Sequence, residues 1–340
     1  MNFNFTDDQL LFRDSVREFL RNEVTPEYIR QRWDGKANTL WPQLAELGLT
    51  GVTIPEAQGG LGMGLIDFVL LAEECGYVAL PEPLTRTAMV AVPLLVDAHN
   101  AAEQAAVSDW LGSIAAGDSI ATVGLEGALV EDADRAGLLL MEQGDAFIVA
   151  SEGEFSAVKN PSVDPSRQLF EVNVRGGTPL QASPEKAMNL GALTCAAESL
   201  GLAQRMVDMT VAYTADRQQF GKPVGSFQAV KHHMANVAVK LEYARGPVYR
   251  AAWAMQSGDS RTSVYVSHAK LAACEAAALA AKHSIQCHGA MGYTWEVDLH
   301  IYMKRAWALA GAWGDAGFHK QRVSEALFEQ DMPLGAGATF

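Results

Sequence analysis

The segment RQQFGKPVG, residues 217–225, interrupts a chain otherwise rich in helix-forming residues. Gly221, Pro223 and Gly225 sit poorly inside a helix, so a tight loop is expected between one helix ending near Ala215 and another starting near Phe227. Ser226 is of the right type to cap the second helix. A guanidinium on such a loop, here Arg217, suits a diphosphate, because its fork meets two phosphate oxygens. Phe220 beside it can lie against a flat ring. The plainer alternative, a surface charge and a core plug, fits the local residues as well.

Few other residues stand out by type. Glu198 lies in an Ala-rich helical stretch and is a candidate buried acid. His288 and His300 read as polar packing residues. Neither has a partner at metal-ligand spacing, and His232 and His233 are adjacent and so point to different helix faces. No metal is expected.

The chain has 340 residues, 49% apolar and 19% charged, which is enough for a globular protein with more than one layer of core. A net charge of -14 argues against nucleic acid or an anionic membrane as a partner. Cys75, Cys195, Cys274 and Cys287 are scattered without a CxxC pair, and Cys195 and Cys274 read as small buried hydrophobes, as in a reducing cytoplasm. The first residues, MNFNFTDDQ, lack the apolar run of a signal peptide, and no apolar stretch reaches the length of a membrane span.

Periodicity divides the chain into three. Residues 1–118 read as a helical domain, opened by a capping box at Thr6–Gln9. Residues 119–186 carry short alternating runs between turn residues and read as a small antiparallel β domain. Residues 187–340 read as an up-and-down bundle of four long helices, kinked or frayed at Gly246-Pro247. The fold class is therefore mostly α with a small middle β domain.

The motifs lie in an order that resembles the acyl-CoA dehydrogenase flavoprotein family. Arg217, Phe220, Gly221 and Gln228 stand at the positions of its RxxFGxxxxxxxQ segment. The run Gln286–Tyr293 resembles QxxGGxGY, with Ala290 for the second glycine. Near the start, WPQLAELG and IPEAQGGLG resemble its N-terminal helical domain. The resemblance covers most of the chain except the middle. It implies the family fold, with a β domain between helical domains and a C-terminal four-helix bundle. It also implies FAD as cofactor, an acyl-CoA thioester as substrate and α,β-dehydrogenation as reaction. Arg217, Phe220, Gln228, Gln286, Gly289 and Gly292 are then the expected FAD contacts, with electron-transfer flavoprotein as electron acceptor.

The family's chemistry needs a carboxylate for the α proton, donors to the thioester oxygen, and a flavin to take the β hydride. Alignment from Gly292 puts Trp313-Gly314-Asp315 where the family carries Glu-Gly-Thr, and Lys304-Arg305 where it carries Arg-Asp. Asp315 is the one carboxylate nominated as base, against a plain alternative as a helix cap. The β domain also departs from the pattern, with VGLEGALVEDADRAG and EGEFSAVKN in place of the usual flavin-facing segments. The segments TWEVDLHIYMKRAW and GDAGFHKQR resemble short subunits that pair with a longer homologue in bacterial steroid and CoA-ester catabolism. That branch implies a homotetramer or an α2β2 heterotetramer, and a rival role as a non-catalytic partner completing the longer chain's FAD site.

Overall fold

A computed structural model describes residues 4–36, 39–102, 105–330, 332–333 and 335 of the chain. In chain order the first helices are α1 (Asp7–Glu23), α2 (Pro26–Trp33), α3 (Trp41–Glu46) and α4 (Leu65–Tyr77). A helix follows in pieces: α5 (Leu84–Arg86), a π turn at Thr87–Ala91 and α6 (Val92–Ala102), then α7 (Ala105–Ala115). The strands are β1 (Ala121–Gly124), β2 (Val130–Glu131), β3 (Leu138–Gln143), β4 (Ala146–Ser151), β5 (Phe155–Asn160), β6 (Leu169–Val174) and β7 (Thr178–Leu180). After them come α8 (Pro184–Asp216), a hairpin of β8 (Gln218–Gln219) and β9 (Lys222–Pro223), then α9 (Gln228–Ser257), α10 (Thr262–His288), α11 (Leu299–Gly311) and α12 (Ala316–Phe328). Among the described residues no helix is long and apolar enough to cross a membrane.

Two compact units result: Met1–Pro26, Val69–Ala79 and Cys195–Phe340 in one, and Glu27–Phe68 and Leu80–Thr194 in the other. The second unit holds the strands. One sheet has the order β1-β3-β4-β7 and the other β2-β6-β5. Pairing is antiparallel except between β1 and β3, which run parallel because the β2 segment is threaded between them in sequence. Val130, Ala133, Leu139 and Phe170 form the core between the sheets. Two buried carboxylates of this unit are paired. Glu131 accepts from Arg86 at 3.1 Å and Arg167 at 2.6 Å. Glu82 accepts from Tyr28, Thr39, the Leu40 amide and Arg135, which joins three separate segments of this unit through one carboxylate.

In the first unit, α1 starts on the expected capping box, with Thr6 and Gln9 exchanging hydrogen bonds. Its Arg17 pairs with Glu74 of α4 at 2.6 Å. Arg245 of α9 pairs with the neighbouring Glu73, which also accepts from the Tyr249 hydroxyl at 2.9 Å. The bundle helices approach closely because small residues face one another. Ala269, Ala273, Ala276, Ala277, Ala280 and Ala281 of α10 are all buried. Gly76 of α4 and Gly201 of α8 leave no room for a side chain, since a Cβ would lie 2.1 Å from the Glu198 carbonyl oxygen and 1.9 Å from that of Glu73. Along α8, the hydroxyls of Thr194, Ser199, Thr210 and Thr214 each donate to the carbonyl four residues back. Those buried polar groups are therefore satisfied within the helix itself.

Two local expectations meet a different structure: α9 does not fray at Gly246-Pro247, and Ser226 does not cap it. Helix α9 runs through Pro247 without a break. Leu241 and Ala244 before the proline, and Val248 and Ala251 after it, are buried, so packing on both sides outweighs one missing backbone bond. Ser226 does not cap α9, because its hydroxyl donates to the Pro223 carbonyl at 2.7 Å, and Phe227 holds the cap position without a side-chain bond. The fourth bundle helix is two helices, α11 and α12, divided where Trp313 and Gly314 adopt φ of +54° and +87°.

Candidate functional site

The β8–β9 hairpin carries Arg217 and Phe220 out from the end of α8. Gly221, at φ +76°, supplies the left-handed turn residue. Phe220 also takes a positive φ of +53° and is 90% exposed. It meets Phe227 edge-on at 6.1 Å between ring centroids and so packs on the loop's own aromatic rather than in the core. Arg217 is exposed, and its guanidinium forms no ion pair among the described residues.

Two contacts bring this hairpin to the Gln286–Gly292 turn. Tyr213, one turn before Arg217, stacks on His288 at 4.2 Å. His233, just inside α9 from Gln228, meets His283 of α10 with 2.5 Å between their Nδ1 atoms. His283 and His288 are both held below the usual imidazole range, chiefly by burial. Arg217, Phe220, Gln228, Gln286, Gly289 and Gly292 therefore gather at one end of the bundle. Gly289 turns at φ +61° with open space where a Cβ would be, whereas Gly292 is packed against Ile285 and His288.

The chemistry at this end suits an anion. With Ser226 turned away, the first amides of α9 have no side-chain cap, and the positive end of a 30-residue helix faces the same region as Arg217. An uncapped helix start, a free guanidinium and a glycine turn fit the diphosphate of FAD.

Asp315 is elsewhere. Its carboxylate accepts the Phe318 amide at 2.9 Å and caps α12. The helices on either side of the turn before it meet α10 through His319, which bonds Ser267, and Leu309, whose carbonyl accepts from Lys270. Lys270 is sixteen residues before Gln286, about 24 Å along the helix axis. Asp315 shares a cavity of about 190 Å³ with Lys270, Cys274, Ala316 and His319. Glu198 is buried on α8 in contact with the α4 backbone at Gly76, where its own carbonyl is the close neighbour. Among the described residues, no group of three or more metal-ligating side chains comes together.

Inspection of the sequence missed Lys270 and His319. Lys270 is only 2% exposed and donates to the Leu309 carbonyl, and His319 is fully buried. The available signal was a lysine inside an otherwise apolar face of an Ala-rich helix.

A long α-helical bundle, joined in sequence to a small β domain and an N-terminal helical segment, is the architecture of a flavin-dependent dehydrogenase. Residues 6–118 match the acyl-CoA dehydrogenase N-terminal domain, and residues 182–328 match the acyl-CoA dehydrogenase C-terminal domain. The chain is 31% identical over 327 residues to the acyl-CoA dehydrogenase IpdE2 of Mycolicibacterium smegmatis, covering 95% of this chain and 100% of the relative. The ChsE4-ChsE5 complex from Mycobacterium tuberculosis has the same fold, with a TM-score of 0.85 at 23% identity over 98% of this chain and 100% of that one. So has a chain of the Tcur3481-Tcur3483 steroid ACAD, with a TM-score of 0.85 at 23% identity over 96% of this chain and 99% of that one. The chain belongs to the acyl-CoA dehydrogenase family, whose members are FAD flavoproteins that oxidise acyl-CoA thioesters.

Proposed function

We propose that this chain is a subunit of an acyl-CoA dehydrogenase assembly and grips the diphosphate and adenine side of FAD with Arg217, Gln228 and the Gln286–Gly292 turn. The observation that carries this reading is the start of α9, without a side-chain cap, beside an Arg217 that forms no ion pair among the described residues. Phe220, exposed on the same loop, covers a ring face of the cofactor. Hydride acceptance from the β carbon of the acyl group is the chemistry that bound FAD would supply. The residues at this end of the bundle supply binding and orientation. Exposure of Phe220, Tyr293 and Trp295 at 90%, 82% and 68% supports a site closed by a second subunit. The assembly is a homotetramer or an α2β2 heterotetramer with a longer homologue, and electron-transfer flavoprotein accepts the electrons. Steroid-derived acyl-CoA thioesters are the proposed substrate class, supported by the likeness to a steroid ACAD.

The α proton goes to a carboxylate. Asp315 is the candidate on this chain, and its engagement as a helix cap favours a base supplied by the partner subunit. The test is expression alone and together with a longer homologue, followed by flavin analysis. Arg217→Ala should lower FAD content severalfold in the assembled protein. Full flavin content in that variant overturns the reading.

A further inference from the structure

The turn between α11 and α12 is under local strain and is held from one side by buried polar groups. Trp313 is a non-glycine residue at φ +54°, a conformation that persists only where the surroundings enforce it. Gly314 follows at φ +87°, so close to α12 that a Cβ would lie 2.5 Å from Phe318 Cδ1 and 2.8 Å from His319 Nε2. No residue with a side chain fits there without moving His319.

Two groups enforce this geometry. His319, with no exposed surface, has Nε2 3.0 Å from the Trp313 carbonyl and Nδ1 3.0 Å from Ser267 Oγ. A carbonyl only accepts, so Nε2 carries the proton and donates, and Nδ1 accepts from the serine hydroxyl. Burial pushes the imidazole down to about 4, which keeps that tautomer neutral at ordinary pH. Lys270 lies one helical turn after Ser267 on α10. Its ammonium donates to the Leu309 carbonyl in the last turn of α11. No carboxylate pairs with Lys270 among the described residues. A buried ammonium without a counter-charge is costly, and an apolar residue of similar length would pack the same space more favourably. What the ammonium adds is a fixed direction for the end of α11. Leu309 and Trp313 bracket the start of the turn, and Asp315 leaves it at the mouth of the cavity shared with Lys270 and His319.

We infer that Lys270 and His319 are positioning residues that lock the Ala312–Asp315 turn for the dehydrogenation reaction. The inference rests on the proposed function and on the resemblance that sets Trp313-Gly314-Asp315 against the family's Glu-Gly-Thr segment. It holds whether the base is Asp315 or comes from a partner, because in either case the turn forms a wall against which the thioester is set. Displacing such a wall by about 1 Å costs on the order of a hundredfold in turnover.

The experiment uses the FAD-loaded assembly carrying Lys270→Met, His319→Leu, His319→Gln or Ser267→Ala. Amide hydrogen exchange over 312–318 is read first, then kcat and KM for the acyl-CoA. The His319→Gln side chain keeps an N–H near the Nε2 position. Faster exchange is expected in Lys270→Met and His319→Leu, with kcat down about ten- to a hundredfold, KM within about twofold and flavin content unchanged. His319→Gln should recover most of the loss, and Ser267→Ala, which leaves no cavity of consequence, should show a smaller effect in the same direction. Unchanged exchange in both Lys270→Met and Ser267→Ala overturns the positioning role. So does faster exchange with unchanged kcat, or equal loss in His319→Gln and His319→Leu. Failure of the underlying alignment shows separately, as unchanged kcat when Trp313 itself is replaced by glycine, which relieves the strain and removes the indole.

Discussion

Gly201 of α8 and Glu73 of α4 meet backbone to backbone, so that a methyl group on Gly201 would lie 1.9 Å from the Glu73 carbonyl oxygen and 2.5 Å from the Tyr77 amide. Both obstacles are main-chain atoms, which cannot rotate away. The same helix of the pair also carries Glu73 and Glu74, which pair with Arg245 and Arg17. A shift of α4 would therefore disturb the ion pairs along with the packing. Gly201→Ala should destabilise the protein by about 1–3 kcal/mol or more, as overpacking does. Thermal or denaturant unfolding measures it, and a stability equal to the parent would show that the helices can separate freely.

Glu131 lies buried between Arg86 and Arg167. Burial opposes its ionisation, yet the charges of Arg167 and then Arg86 outweigh burial and hold the carboxyl well below the usual carboxylate range. The folded value is below the unfolded one, so this stabilisation is present above about pH 4.3 and is lost as pH falls further. Glu131→Gln leaves two buried guanidinium groups without their counter-charge and should cost about 3–5 kcal/mol. Denaturant unfolding at neutral pH checks the size.

His319 titrates with the opposite origin. Burial lowers it to about 4, against about 6.5 for a free imidazole, so the folded protein holds the ring neutral where the unfolded chain would protonate it. Its contribution is complete above about pH 6.5 and is lost as pH falls toward 4, amounting to about 3 kcal/mol at the acid end. The pH dependence of unfolding free energy between those limits should flatten in His319→Gln.

Asp315 is tested by two substitutions with different signatures. As a cap alone, Asp315→Ala should lower stability by about 1 kcal/mol and Asp315→Asn by less, because asparagine also caps. As a base, Asp315→Asn should reduce turnover by about 10²–10⁴ with FAD retained. Acyl-CoA-dependent reduction of an electron acceptor distinguishes the two, and unchanged turnover places the base on a partner chain.

The sequence made the order of elements legible because its signals were local. The Thr6–Gln9 box, the glycines of the Arg217 loop and the alternating runs of the strands each declare themselves within a few residues. The short strands Val130–Glu131 and Thr178–Leu180 were not legible, since two- and three-residue strands exist only through partners far along the chain. The break at Trp313–Gly314 was legible as a helix start, through Asp315 as a possible cap, but what holds the turn was not. It depends on His319 and Lys270 reaching the turn from other helices. In the site, Arg217 and Gln228 were visible as types at a spacing. The open amides of α9 were not, because they follow from Ser226 choosing the Pro223 carbonyl over the helix it precedes.

The hydroxyls of α8 that bond to carbonyls of their own helix have a consequence for how this chain tolerates change. A buried threonine or serine usually demands a matching donor or acceptor on a neighbouring element, and that demand constrains two positions at once. Thr194, Thr210 and Thr214 place no such demand, whereas Ser199 also meets Cys274 Sγ of α10 at 3.7 Å. The neighbours of those three threonines are held only to a volume, so around them diverging sequences can repack by size, one position at a time, without a compensating polar change elsewhere.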